Sequence, residues 1–517
     1  MAPHCTLHDP ARWPAQRDAL RSALRTPPTD EEGLCHLLHL TSHAQLAAEE
    51  FGRSTAVATV ESVDPEWWSD TLPFIIQLAL RSADLCPPDE TSPLRYLPPG
   101  ERGSVRLSRV HVASVLALAF FDAIGPPVNA DPKWDLPGHL TCRSWFGVGD
   151  VYGGDECDEQ KLACLCVYFK RMRELFGREV SDDAAMARLA GASATEGDAL
   201  VISRLVLPKD AAAASGAAAA ATWLECDAPL RGLRVVETGG IEEAAGALQA
   251  DFANEYIGGG VLCGGNVQEE IRFSVSPECL VSLLLCGRMR EHEAVLLSGV
   301  RQYASYSGYG HRFTCEGAAP WPQGGGAATA GELVLAIDAV PYAYLAGGAA
   351  SQYSERGMLR ELKKLRAGLG EGGGYADEPR EAEAAREAEA AAEAESGPPP
   401  AKKTRSSSRH ASSSASLVPP AGGRRPFATG NWGCGVFGGD ARLKALLQWM
   451  AASRAGRDIL YYPFGDPRIA GLKETAERLL KAKVTVGQLG RALFKSGDQA
   501  LSHGRAFAVV EAELLRS

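Results

Sequence analysis

The 13 cysteines, an odd number, include no CxxC pair; Cys164 and Cys166 are separated by a single residue. That usage indicates no disulfide framework, and the thiols read as reduced and intracellular. No cluster of His, Cys, Asp and Glu has metal-ligand spacing, and His292 and His311 stand isolated, so neither a metal nor a cofactor is expected. The longest apolar stretch, Val110 to Ile124, is interrupted by His111, Ser114 and Asp122 and falls short of the roughly 20 residues that span a bilayer. Residues Met1 to Arg17 lack the apolar core of a secretory signal. Basic excess is also missing: 64 Asp and Glu outnumber 53 Lys and Arg, for a formal net charge of -11. The chain therefore lacks the electrostatic footprint of a DNA binder, and an anionic ligand needs a local site. Backbone N–H groups at helix N-termini supply one without any basic excess.

The 517 residues, 45% hydrophobic and 23% charged, are ample for two to four folded units. The first part reads as helical. Leu72 to Leu80 is apolar with Pro73 near its start, and Ser108 can cap a helix through Val112, Val115, Leu116, Ala119 and Phe120. Leu162 to Phe169 leads into Lys170 to Arg173, read as a helix surfacing at its basic end. From about residue 200 the β-branched runs Val201–Val206, Leu233–Glu237, Val295–Leu297 and Leu333–Val340 alternate with helical segments, the pattern of an α/β sheet. A helix after Ser276-Pro277, a helix over Asp440 to Ala455, a strand at Ile459–Tyr462 and helices near Leu472–Leu480 and Val486–Phe494 complete the series.

A segment interrupts this pattern. Gly368 to Gly374 is glycine-rich, Glu381 to Glu395 is an Ala/Glu tract, and Pro398 to Gly423 is rich in Pro, Ser and basic residues. Such composition buries too little apolar surface to offset its ordering entropy. Its Lys402-Lys403-Thr404-Arg405 run reads equally as a nuclear import signal or as solvated linker charge.

Two glycine-rich turns carry the chemistry. In the first, Asp251 to Gly260, a strand ends in polar residues and the run Gly258-Gly259-Gly260, followed by Gln268-Glu269-Glu270 on a helix. Three glycines permit close backbone approach by a ligand. Asn266 can serve as N-cap with Glu269 as its capping-box partner, which leaves Glu270 without a structural explanation. Taken alone, two glutamates on a solvated first turn are unremarkable, since acidic residues favour a helix N-terminus. The second turn, Gly430 to Asp440, also opens onto a helix, and two such turns in one domain suggest a diphosphate cradle.

The arrangement Gly-Gly-Gly, short spacer, Gln-Glu-Glu at Gly258 to Glu270 resembles the signature of poly(ADP-ribose) glycohydrolases. The resemblance extends through Ile241-Glu242, Asp251 to Phe273, Gln302-Tyr303 with Tyr306 to Tyr309, Ala428 to Gln448, and Tyr462 to Asp466. It implies a macrodomain, a three-layer α/β/α fold on a mixed sheet, preceded by a mainly helical accessory domain. It assigns Glu270 the general acid and base, Glu269 the orientation of the cleaved ribose, and Asn254 a hydrogen bond to the terminal ribose. Ile241, Glu242 and Gln268 correspond to adenine-binding positions, Gly259 and Gly260 to the close backbone approach, and Tyr309 and Phe464 to aromatic groups holding the ligand. Asn431 and the loop Gly433, Cys434, Gly435, Val436 and Phe437 correspond to the diphosphate site. The long insertion and the glycine-rich spacer Val261 to Gly265 depart from the pattern without removing a catalytic position.

Glycosidic bonds break through an oxocarbenium-like transition state, so one acid must protonate the departing hydroxyl while negative charge stabilises the cation. Adjacent glutamates on a helix diverge by roughly 100°, which fits separate roles. The expectation is hydrolysis of ribose-ribose bonds in poly(ADP-ribose), with ADP-ribosylated proteins as partners, no direct DNA or membrane binding and a monomeric chain. The resemblance further implies a part in the DNA damage response, inside the cell in nucleus, cytoplasm or both. The competing readings are a macrodomain that binds ADP-ribose without cleaving it and an interaction scaffold; intact Glu269 and Glu270 argue against the former. The expected boundaries are a helical accessory domain at 1–200, the catalytic domain at 201–367 and 426–517, and the insertion at 368–425.

Overall fold

The computed structural model describes residues 5–42, 56–125, 140–146, 156–191, 199–320, 331–345, 348–370, 424–501 and 503–515. The Ala/Glu tract and the Lys402–Arg405 run lie outside them. The N-terminal helices are α1 (Trp13–Arg25), α2 (Glu31–Thr41), α3 (Ala56–Val63), α4 (Leu72–Leu85), α5 (Arg109–Phe120), α6 (Glu156–Ser181) and α7 (Asp183–Gly191). Ser108 caps α5 as expected, its hydroxyl accepting the His111 N–H, and every residue of that helix is buried. α6 becomes partly exposed at Lys170, Arg171 and Arg173, as expected, but does not end there. It runs on to Ser181, with Lys170 pairing to buried Asp64 at 3.4 Å and Arg173 paired to Glu66. The basic side chains there serve packing between helices as well as solvation.

The strands are β1 (Gly103–Ser108), β2 (Ala199–Val206), β3 (Leu233–Val235), β4 (Leu248–Asp251), β5 (Glu293–Val300), β6 (Ala304–Ser307), β7 (Thr314–Ala318), β8 (Glu332–Ala336), β9 (Phe427–Gly430) and β10 (Ile459–Tyr462). Eight of them form one sheet in the order β1-β2-β5-β8-β4-β9-β10-β3. β8, β4, β9, β10 and β3 are mutually parallel, whereas β1, β2 and β5 add antiparallel pairs. β1 lies within the stretch expected to be helical. Its alternation places Val105 and Leu107 inward and Ser104 and Arg106 outward, so it extends the sheet from the N-terminal side. β6 and β7 form a separate hairpin.

The later helices are α8 (Lys209–Ala213), α9 (Gly216–Leu224), α10 (Gln268–Val275), α11 (Val281–Leu285), α12 (Glu355–Leu369), α13 (Ala441–Arg454), α14 (Leu472–Lys481), α15 (Val486–Ala500) and α16 (Ala506–Leu514). One face of the sheet, with Ile202, Val295, Leu297 and Val334, shares a core with α4, α5, α6 and α11. The opposite face, with Leu205, Leu296, Leu335 and Phe427, packs on α9, α12, α13 and α15. Three layers result, and strands covered on both faces explain the near-continuous apolar runs.

Gly368 and Leu369, placed in the insertion on composition, instead end α12 and are buried. A Cβ at Gly368 would meet Leu335 at 2.9 Å, so glycine there lets the helix approach the sheet. Arg424 and Arg425 are likewise tied down, donating to the carbonyls of Ala455 and Gly246. Among the described residues no helix is long and apolar enough to cross a membrane.

Candidate active site

Both glycine-rich turns leave the C-terminal ends of neighbouring parallel strands, β4 and β9, at the edge where ligands bind open α/β sheets. After β4 the chain loops from Phe252 to Val267 and enters α10. Gly258 and Gly259 adopt left-handed φ of 91° and 51°. A Cβ on Gly259 would lie 2.5 Å from Glu270 Oε1 and 2.6 Å from Glu269 Oε2. The glycine is required twice, by its dihedral and by the two carboxylates pressed against it.

Those carboxylates are buried, Glu269 at 3% and Glu270 at 6% exposure. Glu269 accepts the N–H of Asn254 on Oε2 at 2.8 Å and that of Gly258 on Oε1 at 2.6 Å. Glu270 accepts the N–H of Gly260 on Oε1 and that of Val267 on Oε2, each at 2.9 Å. The expected capping arrangement is therefore displaced by one residue. The N-cap is Val267 and Glu270 is the third helical residue, so Glu270 holds the cap N–H and Glu269 reaches back into the loop. The two side chains diverge on the helix yet meet at one glycine, because the loop wraps around the N-terminus of α10.

A third carboxylate joins them. Asp251, the last residue of β4, is fully buried, and neither of its oxygens has a hydrogen-bond partner among the described residues. Burial, reinforced by the charge of Glu270 and opposed by Arg272, pushes its carboxyl up to about 8. Glu269 is also raised, first by burial and then by Asp251 and Glu270, against the two backbone N–H groups that favour its ionised form. In the sequence Asp251 only opens the glycine-turn motif; the signal that places it in the site is a carboxylate ending a strand of buried residues.

The remaining expected residues divide into two groups. Gln268 bonds at both ends of its amide to the end of β4 and the residue after it, accepting the Phe252 N–H at 2.7 Å and donating to the Ala250 carbonyl at 3.1 Å. Asn431 is similarly committed: Nδ2 donates to the Pro463 carbonyl at 3.0 Å and Oδ1 accepts the Tyr461 hydroxyl at 2.9 Å. The side chains of both brace the turns. Ile241 is buried on a short turn, and Glu242 accepts the hydroxyl of Tyr306. Asn254 closes an Asx turn with the Tyr256 N–H at 3.0 Å.

The aromatic residues face solvent. Tyr309 is 57% exposed and stands in the loop that joins β6 to β7. Phe464 is 50% exposed and lies near-parallel to Tyr462 with centroids 6.2 Å apart. Its φ of 53° is left-handed, a strained conformation for a bulky side chain of the kind found at ligand clamps. Core packing, the plain alternative for aromatics, is excluded for both by their exposure.

In the second turn Trp432 is buried, its indole donating to the Ile337 carbonyl at 2.8 Å, and Lys444 lies 3.6 Å above the ring while pairing with Glu361 at 2.6 Å. Cys434 is buried, Val436 is 62% exposed, and Asp440 caps α13. Cys434, Gly438 and Gly439 donate their N–H groups within the loop, whereas those of Gly433, Gly435, Val436 and Phe437 find no acceptor among the described residues. Successive N–H groups of this kind form a concave anion receptor.

The sequence model of the poly(ADP-ribose) glycohydrolase macrodomain fold matches residues 220–471, and that of the helical domain of the same enzymes matches 60–184. A probable poly(ADP-ribose) glycohydrolase 2 of Arabidopsis thaliana is 30% identical over 447 residues, covering 83% of this chain and 76% of the relative. The chain belongs to the poly(ADP-ribose) glycohydrolase family. Poly(ADP-ribose) glycohydrolase 1 of Arabidopsis thaliana is 27% identical over 466 residues, with the same shares of the two chains. Poly(ADP-ribose) glycohydrolase 1 of Caenorhabditis elegans is 32% identical over 260 residues, 48% of this chain and 27% of the relative. The macrodomain match of this glycohydrolase family member contains both glycine-rich turns and the acidic trio.

Proposed function

We propose that this chain hydrolyses the ribose-to-ribose O-glycosidic bonds of poly(ADP-ribose) and releases ADP-ribose. The observation that carries the reading is the pair of buried glutamates converging on Gly259, one strand away from a loop of unpartnered N–H groups. Carboxylates serve glycoside cleavage and an N–H cradle serves a diphosphate; ADP-ribose contains both a ribose linkage and a diphosphate.

A carboxylate offers about four lone-pair positions, and each glutamate uses two on backbone N–H groups, leaving the others for substrate and proton. Glu270 in its acid form gives its proton to the departing ribose oxygen while the bond from the anomeric carbon to that oxygen breaks, its electron pair going to oxygen. The anomeric carbon gains oxocarbenium character and is stabilised by nearby negative charge. Water then attacks that carbon and yields its proton to Glu270, restoring the acid. Glu269, fixed by Asn254 and Gly258, orients the ribose, with Asn254 beside it. Three carboxylates in one buried volume cannot all ionise cheaply, and burial with mutual repulsion holds the carboxyls of Asp251 and Glu269 above the usual range.

Ile241, Glu242 and Gln268 then border the adenine, Gly259 and Gly260 the ribose, Asn431 with Gly433 to Phe437 the diphosphate, and Tyr309 and Phe464 close over the ligand; Gln268 and Asn431 also brace the turns. On this reading the partners are ADP-ribosylated proteins and the chain works as a monomer in nucleus, cytoplasm or both. The helical accessory domain extends to about residue 200 and the macrodomain is split by the insertion. Incubation of the purified chain with poly(ADP-ribose), followed by chromatography of the products, tests the proposal. Release of ADP-ribose is expected; binding of ADP-ribose without release indicates a non-catalytic macrodomain, and neither indicates a scaffold.

A further inference from the structure

The β6–β7 hairpin reaches from the accessory helices to the candidate active site and carries Tyr309 at its tip. Its outer strand is fixed from α6, where Gln160 accepts the Cys315 N–H at 2.9 Å. Its tip is fixed at the carbonyl of Gly310, which receives the Cys157 thiol at 3.5 Å and the Asn266 side-chain amide at 2.7 Å. Asn266 is only 8% exposed and directly precedes Val267, whose N–H is held by Glu270. The Oδ1 of Asn266 is buried with no partner among the described residues. A buried amide satisfied at one end alone costs stability, so packing by itself disfavours asparagine at this position.

We propose that Asn266 is a positioning residue for Tyr309, its hydrogen bond to Gly310 fixing the tyrosine over the site and thereby the affinity for the ADP-ribose unit. The inference rests on the function proposed above. The geometry ties the hairpin tip to the same turn that Glu270 holds, so aromatic ring and carboxylate keep one mutual arrangement. Without the bond, the Gly310 carbonyl keeps the weaker thiol contact and the Phe313 N–H, and buried Phe313 still anchors the base of the tip, while Tyr309 itself loses its link to the Asn266 turn.

Asn266→Leu removes the donor and the unpartnered oxygen at similar volume. Its dissociation constant for ADP-ribose should rise about five- to tenfold, the size of one lost hydrogen bond, with KM rising while kcat changes less than about twofold. Amide hydrogen exchange across residues 308–313 of the ligand-free chain should accelerate, while the thermal midpoint stays level or rises. In a Tyr309→Ala background the same substitution should alter affinity by less than about twofold, since the group it positions is gone. Unchanged affinity and exchange in the folded variant would overturn the proposal, as would an affinity loss of equal size in both backgrounds. A wild-type chain that binds no ADP-ribose overturns the functional reading and the affinity claim together, and the ligand-free exchange distinguishes that case from a failed anchor.

Discussion

The two glycine-rich turns share one sequence grammar, strand, polar residue, glycines, helix, yet they dispose of their backbone donors in opposite ways. In the β4–α10 turn the N–H groups of Asn254, Gly258, Gly260 and Val267 are all consumed by Glu269 and Glu270. In the β9–α13 turn those of Gly433, Gly435, Val436 and Phe437 are left open. The first turn is a cage that fixes two acids; the second leaves its donors open, which is what the proposed diphosphate site requires. A glycine-rich loop before a helix is thus not a single functional signal, and what separates the two cases is whether acidic side chains on the following helix fold back into the loop.

The largest effect expected is at the cage. Glu270→Gln should reduce turnover on poly(ADP-ribose) by at least about 10² to 10⁴-fold, because the amide delivers no proton to the leaving oxygen. ADP-ribose affinity should change little if, as proposed, the binding donors lie in the other turn. Turnover and calorimetric affinity measured on one folded preparation check this; near wild-type turnover would remove Glu270 from the acid role. Gly259→Ala should follow closely, with about 10²-fold lower turnover and a lowered thermal midpoint, as its Cβ displaces both carboxylates and its φ of 51° disfavours alanine. Gly435→Ala makes the contrast. Its Cβ meets nothing within 4 Å, so stability should hold while ADP-ribose affinity falls where the backbone approaches the ligand. A Gly435→Ala protein with full affinity would refute the receptor assignment.

Asp251 distinguishes the turns by pH. Its carboxyl, raised to about 8 in the folded chain from an unfolded value near 3.9, keeps its proton in the native state across a range where the unfolded chain has lost it. Native protein therefore binds more protons, and stability falls as pH rises from about 4 through 8. Asp251→Asn should flatten the thermal midpoint over that window and raise it at the alkaline end. An unchanged slope would mean that Asp251 is ionised at neutral pH and that the trio is balanced by Arg272.

Much of the scaffold could be read from local signals. Ser108 before an apolar run marks α5, and the run Ile459–Tyr462 is β10 to the residue. The pairing of Glu269 and Glu270 with a glycine turn was equally visible, because its residues lie within 20 positions. Failures occur where the determinant is distant. β1 is a strand through its pairing with β2, nearly a hundred residues later, and Gly368 is helical through contact with Leu335 and Ile337. The capping register moved by one because Glu269 is recruited by Asn254 and Gly258, a long-range choice that outranks the local box. Gln268 and Asn431 have amides matched to a ligand in type, and only the fold shows that each also bonds to its own turn.

The smallest effect is expected outside both turns. Replacing residues 371–423 by a short Gly/Ser linker should leave turnover within tenfold of wild type, equivalent to less than about 1.4 kcal/mol in barrier. The structural reason is Arg457, which is 2% exposed and donates to the carbonyls of Leu369 at 3.4 Å and Arg425 at 2.9 Å. One guanidinium therefore grips both ends of the insertion, and the chain need only bridge a span no wider than that group. Loop closure costs grow only as the logarithm of length, so shortening the segment should hold or raise stability. Neither turn depends on it: β4 and α10 are joined through Gln268, and β9 is set by its pairing with β4 and β10. A larger loss of turnover with unchanged ADP-ribose affinity would show that the insertion acts on the polymer and not on the site, and Arg457→Met in the shortened chain would then separate a loosened joint from a lost polymer contact.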